Sequence, residues 1–158
     1  MELATELAAL FRRDLTRLIQ QVEAFSDDRL LWECSAGMTN SAGNLALHLV
    51  GNLNEYVGRQ LGGVPYQRQR DLEFSLSGIP ARQLVERIHP LVELVPGVIS
   101  RLSQSSLDAV FPEAVTGRTW TTRQFVLHLH AHLNYHLGQI DVVRRMLTHG
   151  AALELVGL

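Results

Sequence analysis

The chain has 158 residues, 46% of them hydrophobic, with 16 acidic residues, 14 basic residues that are all arginine, seven histidines and one cysteine. A chain of this length buries about 70% of its unfolded surface, so the composition suits one folded domain over residues 1–158 and excludes wholesale disorder. A net charge of −2 gives no pull toward nucleic acid, the lack of lysine removes Schiff-base chemistry and a GxxxxGK phosphate loop, and Cys34 alone excludes an internal disulfide or a four-cysteine zinc ribbon.

The first helix is predicted over residues 2–25, where Leu3, Leu7, Leu10, Leu15, Leu18, Val22 and Phe25 recur at helical spacing between Arg12, Arg13, Arg17 and Glu23. Ser26-Asp27-Asp28 breaks the pattern, and a short segment through Leu30, Leu31 and Trp32 is expected to pack on the end of a bundle. Gly37 to Asn40 reads as a loop, with Asn40 or Ser41 capping a second helix over 41–61 that stops at Gly62-Gly63. Residues 62–80 form a long connector carrying the charged run Arg68 to Phe74. Stretched out it would reach about 60 Å, enough to return the chain along a whole bundle. The third helix is predicted over 81–106, kinked or interrupted at Pro90 and Pro96. After a loop at 111–117, a fourth helix starts from Thr119 or Thr121, runs to about residue 148 and ends before Gly150. No strand alternation competes with this pattern, and an all-α four-helix bundle is expected.

At about 100° per residue, Ser41, Asn44, His48, Asn52 and Glu55 fall within about 40° of one another, opposite Leu47, Leu49, Val50 and Val57. The fourth helix has a similar stripe of Thr121, Phe125, His128, His132, His136, Gln139 and Val143, with His130 on another side. Imidazoles at i and i+4 lie about 6 Å apart along the axis and can share one ion, whereas i and i+8 lie about 12 Å apart. One ion therefore uses at most two of His128, His132 and His136, and His48 is the histidine available on the second helix. Neutral imidazoles suit zinc, nickel, iron or copper rather than magnesium or calcium, and three of them leave positions open for water or substrate. A hydrogen-bonded seam with no ligand fits the same spacing. His89, His130 and His149 are assigned to the surface or to helix ends.

Asn40-Ser41-Ala42-Gly43-Asn44-Leu45-Ala46-Leu47-His48-Leu49-Val50-Gly51-Asn52 resembles the second-helix motif of the DinB-like proteins, a damage-inducible group that includes bacillithiol- and mycothiol-dependent transferases. His132-Leu133-Asn134-Tyr135-His136-Leu137-Gly138-Gln139-Ile140 resembles their last-helix HxxxH-x-GQ signature. The connector Arg68-Gln69-Arg70-Asp71-Leu72-Glu73-Phe74 is similar to a largely uncharacterised branch. The resemblance implies a bundle of up-down-down-up order with a long crossover between helices two and three. It also implies a divalent metal (zinc, nickel or iron) on His48, His132 and His136, with His128 lining the cavity, and a homodimer.

A metal with open positions acidifies a bound water or thiol, which serves hydrolysis or thiol S-transfer on a small molecule with a thiol cosubstrate. Asn44, Asn52, Glu55 and Gln139 are candidates to orient a ligand ring or a bound water. Tyr56, Trp120 and Tyr135 read as core or interface aromatics, Cys34 as a small buried residue, and Arg59, Arg68 and Arg70 as solvated charges. Three functions stay open on these grounds: a metal-dependent transferase or hydrolase, a small-molecule or metal binding module, and a structural dimeric bundle. The first residues lack a basic stretch followed by an apolar run, and no segment is apolar enough to span a bilayer, so a cytoplasmic protein without membrane or nucleic-acid partners is expected.

Overall fold

The computed structural model describes residues 3–34, 36–115 and 117–153. Helix α1 (Leu3–Glu23) buries Leu7, Leu15, Leu18 and Val22 of the predicted stripe, with Phe11 fully buried where the spacing pointed to its half-buried neighbour Leu10; residue 2, where the expected helix began, lies outside the described residues. A 3-10 turn (Asp28–Trp32) follows, with the Asp27 carboxylate accepting from the Arg29 amide at 2.9 Å. It buries Leu31, and its Trp32 indole donates to the Ile79 carbonyl at 3.0 Å. The ring lies so close to Gly43 that a Cβ there would meet it at 2.6 Å, which is why a glycine stands at that point of the next helix.

Helix α2 (Ala42–Leu53) is capped by Ser41, whose hydroxyl accepts from the Asn44 amide at 3.2 Å. It runs on as a π-helical turn (Asn54–Arg59). The connector then holds an unexpected short helix, α3 (Arg70–Ser75), packed on α2. Helix α4 (Ala81–Ile99) continues through both Pro90 and Pro96. The interruption expected there does not occur, because α4 packs along α1 and tertiary burial, rather than intrinsic propensity, carries most helix stability. The expected end at 106 moves back to Ile99: Ser103 accepts from the Ser106 amide at 3.1 Å and starts a separate short helix, α5 (Gln104–Asp108).

Helix α6 (Thr122–Thr148) opens with a capping box, in which Thr121 Oγ1 accepts from the Gln124 amide at 3.2 Å and Gln124 Oε1 from the Thr121 amide at 3.0 Å. It ends at His149, held in the left-handed conformation at φ 52° before Gly150. Helices α1, α2, α4 and α6 make the four-helix bundle, with isolated bridges and no strands among the described residues. α1 and α2 each pack against both α4 and α6 and are diagonal to one another. α6 therefore has two working faces, one toward α1 and one toward α2. No helix among the described residues is long and apolar enough to cross a membrane.

Candidate metal centre

On the α2 side the site is built around His48, which is buried. Its Nδ1 lies 2.9 Å from Oε2 of Glu73, a buried carboxylate on α3. Arg68 grips the same carboxylate through Nε at 2.7 Å and Nη2 at 2.8 Å. Burial pushes the Glu73 carboxyl up, but the hydrogen bonds from Arg68 and His48 outweigh it and hold the group below its ordinary value. An ionised carboxylate only accepts, so His48 carries a proton on Nδ1 and turns Nε2 away from Glu73 toward α6. The Phe74 ring packs 5.1 Å from the His48 ring.

On α6, His136 Nδ1 donates to Gln139 Oε1 at 2.7 Å, and the Gln139 amide in turn donates to the Tyr135 hydroxyl at 3.4 Å. His136 Nε2 is thereby also turned inward, toward His132. Between the two sits His132, whose Nε2 is 3.2 Å from that of His48 and 3.1 Å from that of His136. The rings stand nearly perpendicular to one another, with centroids 4.5 to 5.4 Å apart. Burial pulls His132 down to about 4, helped by its neighbours His136, His48 and His128, and it lowers His136 against the opposing Gln139 hydrogen bond. His132 and His136 therefore stand as neutral imidazoles at neutral pH.

Three imidazole nitrogens crowd one point, where N–H···N hydrogen bonds or one shared cation would satisfy them. Nitrogens each about 2.0–2.1 Å from one ion would stand about 2.8–3.4 Å apart in octahedral or tetrahedral geometry, and the spacings of 3.1 and 3.2 Å fall in that range. His48, His132 and His136 could hold a metal ion, and their all-nitrogen donor set fits a borderline transition metal rather than magnesium or calcium.

The other expected site residues fall at graded distances from this point. Gln139 supports His136 directly. Asn44 reaches no ring: its amide donates to the carbonyls of Glu73 at 3.1 Å and Leu76 at 2.9 Å, tying α3 to α2. Glu55 accepts from Arg59 and Gln60 on its own stretch of chain, and its pKa is lowered first by Arg59. Asn52 is buried one turn after His48, and its Oδ1 and the His132 Nδ1 are buried without partners. His128 is exposed and stacks on Trp120 at 5.5 Å and on Phe125 at 5.8 Å.

Four readings change. Arg68 is not solvated: its side chain is only 13% exposed, because Glu73 binds it. His130 is not a surface residue, since its Nε2 meets the fully buried Asp14 at 3.0 Å. Cys34 is exposed rather than buried. Tyr135 is 65% exposed, so it belongs to no core of the isolated chain. Glu73 itself was hidden in a charged run that reads as solvent-facing. Its one sequence signal is that a ligating histidine needs a partner for its second nitrogen, and the connector carries carboxylates.

A family model described as the DinB superfamily matches residues 10–140. A comparison with curated proteins finds no match. Among solved structures, a DinB-like protein from Bacillus subtilis superposes with a TM-score of 0.68 at 17% identity, covering 95% of this chain and 96% of that one. That likeness establishes the shared fold, and the family match spans most of the chain, from within α1 through His132 and His136 of α6. The chain belongs to the DinB superfamily.

Proposed function

We propose that the chain is a metal-dependent enzyme that activates a low-molecular-weight thiol for transfer to an electrophilic small molecule, with His48, His132 and His136 as ligands of a divalent transition metal (zinc, nickel or iron). The observation that carries this reading is the convergence of three Nε2 atoms, two of them turned to the shared point because Glu73 and Gln139 occupy the far nitrogens. When bound, such an ion acidifies a coordinated thiol or water near neutral pH. Three protein ligands leave room for one. The carboxylates at hand are already engaged: Glu73 by Arg68 and His48, Glu55 by Arg59 and Gln60. Neither is free to serve as the base that orients a hydrolytic water. Ester or amide cleavage also needs an acid to protonate the leaving group, which these engaged carboxylates do not supply, and that favours thiol transfer over hydrolysis.

The reading includes a homodimer in the cytoplasm. Tyr135, Val142 and Met146 are exposed along one line of α6, a face suited to a second copy, and a lone exposed thiol at Cys34 suits a reducing compartment. Protein purified without a histidine tag should carry close to one transition-metal ion per chain and should consume a small thiol in the presence of an activated electrophile. Metal uptake with ester or amide cleavage but no thiol consumption would replace the transferase with a hydrolase. Uptake without either turnover would leave a binding module.

A further inference from the structure

Resting on that metal reading, we infer that Gly51 and Arg68 are positioning residues that act through Glu73 on His48, so that the docked connector sets the affinity of the site. Glu73 does not merely lie near His48; it lies across the surface of α2. A Cβ built on Gly51 would stand 2.0 Å from Glu73 Oε1 and 2.7 Å from its Cδ. Gly51 sits inside α2 with no positive φ, where alanine would favour the helix by about 0.5–1 kcal/mol. The glycine therefore has a packing reason: it leaves room for the carboxylate that holds His48.

Arg68 supplies the second constraint. Its two bonds to Glu73 use both carboxylate oxygens, and its guanidinium lies 5.7 Å from the Tyr56 ring centroid, so the ion pair is anchored on the π-helical turn as well. Asn44 supplies the third by holding the backbone of α3 at Glu73 and Leu76. Asn44, His48 and Gly51 follow one another at i, i+4 and i+7 on α2, so one face of that helix receives α3 at three successive points. A carboxylate fixed in this way sets the ring orientation and tautomer of a ligating histidine, and loss of such a support costs about 10–100-fold in metal affinity.

The test uses Co2+, with affinity read by competition against a chromophoric chelator. Gly51→Ala and Glu73→Ala should each bind Co2+ about 10–100-fold more weakly than the unaltered protein. Because the glycine acts through the carboxylate, the double variant should bind no more weakly than Glu73→Ala alone. Imidazole 15N shifts in the metal-free protein should show the His48 proton on Nδ1, and that preference should be lost in both single variants. Unchanged Co2+ affinity in Gly51→Ala, or additive losses in the double variant, would overturn the inference while leaving the metal site standing. A connector that is only structural would lower the melting temperature in these variants without moving the affinity. An unaltered protein that takes up no Co2+ would remove both the metal reading and this inference, an outcome distinct from the first.

Discussion

Two carboxylate–histidine pairs mark opposite faces of α6, one made with α1 and one presented to it by α2 and α3, and they do different things. Toward α1, Asp14 is fully buried and collects Arg13 at 2.8 Å, Arg17 at 3.1 Å, Asn134 at 2.9 Å and the Nε2 of His130 at 3.0 Å. Toward α2, Glu73 takes the Nδ1 of His48 instead. The difference is which nitrogen the carboxylate uses. At His130 the outward nitrogen is consumed by Asp14, so the network closes on itself and the ring is a strut. At His48 the carboxylate holds the nitrogen nearer the backbone, and the outward one faces two other imidazoles. Two residues apart on α6, His130 and His132 thus serve a packed interface and a candidate metal site.

The largest expected effect separates the two faces at once. His132→Ala should abolish Co2+ or Zn2+ binding, a loss beyond the roughly 100-fold ceiling for a supporting residue. His130→Ala should leave binding intact. Metal at about 100 times its Kd should raise unfolding stability by about 2.7 kcal/mol in the unaltered protein and in His130→Ala, and not at all in His132→Ala. If His130→Ala loses the metal as well, the distinction drawn from the ring nitrogens fails.

Next in size is the strut. Asp14→Ala strips a buried carboxylate from three cationic or imidazole partners and should cost about 3–5 kcal/mol in denaturant unfolding, with metal affinity unchanged. The same carboxylate gives an acid signature. Burial pushes Asp14 up, but His130, Arg13 and Asn134 together hold it well below the usual carboxylate range. Its folded value is therefore below the unfolded value of about 3.9, so the unfolded chain takes up the proton first. The contribution of Asp14 is fully present above that value and fades as the pH falls through and below it. Asp14→Asn should flatten that acid limb of the stability profile in metal-free protein; a limb of unchanged steepness would show that Asp14 is not its source.

Helical spacing is local, so the sequence carried His48 and an i, i+4 histidine pair on polar stripes, and the family resemblance picked His132 and His136 for that pair. It also carried the cap as Asn40 or Ser41, of which Ser41 serves, and the end of α6 before Gly150, where single residue types dominate the chemistry. What escaped is non-local. Glu73 and Arg68 look like any solvated charge run until α3 is laid on α2 at Gly51, and Asp14 looks like a surface residue of α1 until Asn134 and His130 close over it. Spacing also could not choose between His128 and His136 beside His132. Geometry does so: His128 lies with its ring stacked against those of Trp120 and Phe125, while His136 aims a nitrogen at the shared point. The misplaced end of α4 follows from Ser103, whose hydroxyl reaches forward to begin α5 where apolar periodicity alone would have continued the helix.

The smallest expected effect asks whether the two faces of α6 are energetically separate. Thr121→Ala removes the hydroxyl that accepts from the Gln124 amide and should cost about 1 kcal/mol, within the usual range for a lost cap. The cap precedes His130, the nearest α6 partner of Asp14, by nine positions, about 13 Å along the axis, and shares no partner with Asp14. Effects at that separation add. Thr121→Ala combined with Asp14→Ala should therefore lose the sum of the two single changes to within about 0.5 kcal/mol, and neither should move Co2+ affinity. A combined loss well short of the sum would mean that the first turn of α6 has already frayed in Asp14→Ala. A fall in Co2+ affinity in Thr121→Ala would mean that the imidazoles depend on the stability of the whole helix, and the metal face could then no longer be treated apart from the strut behind it.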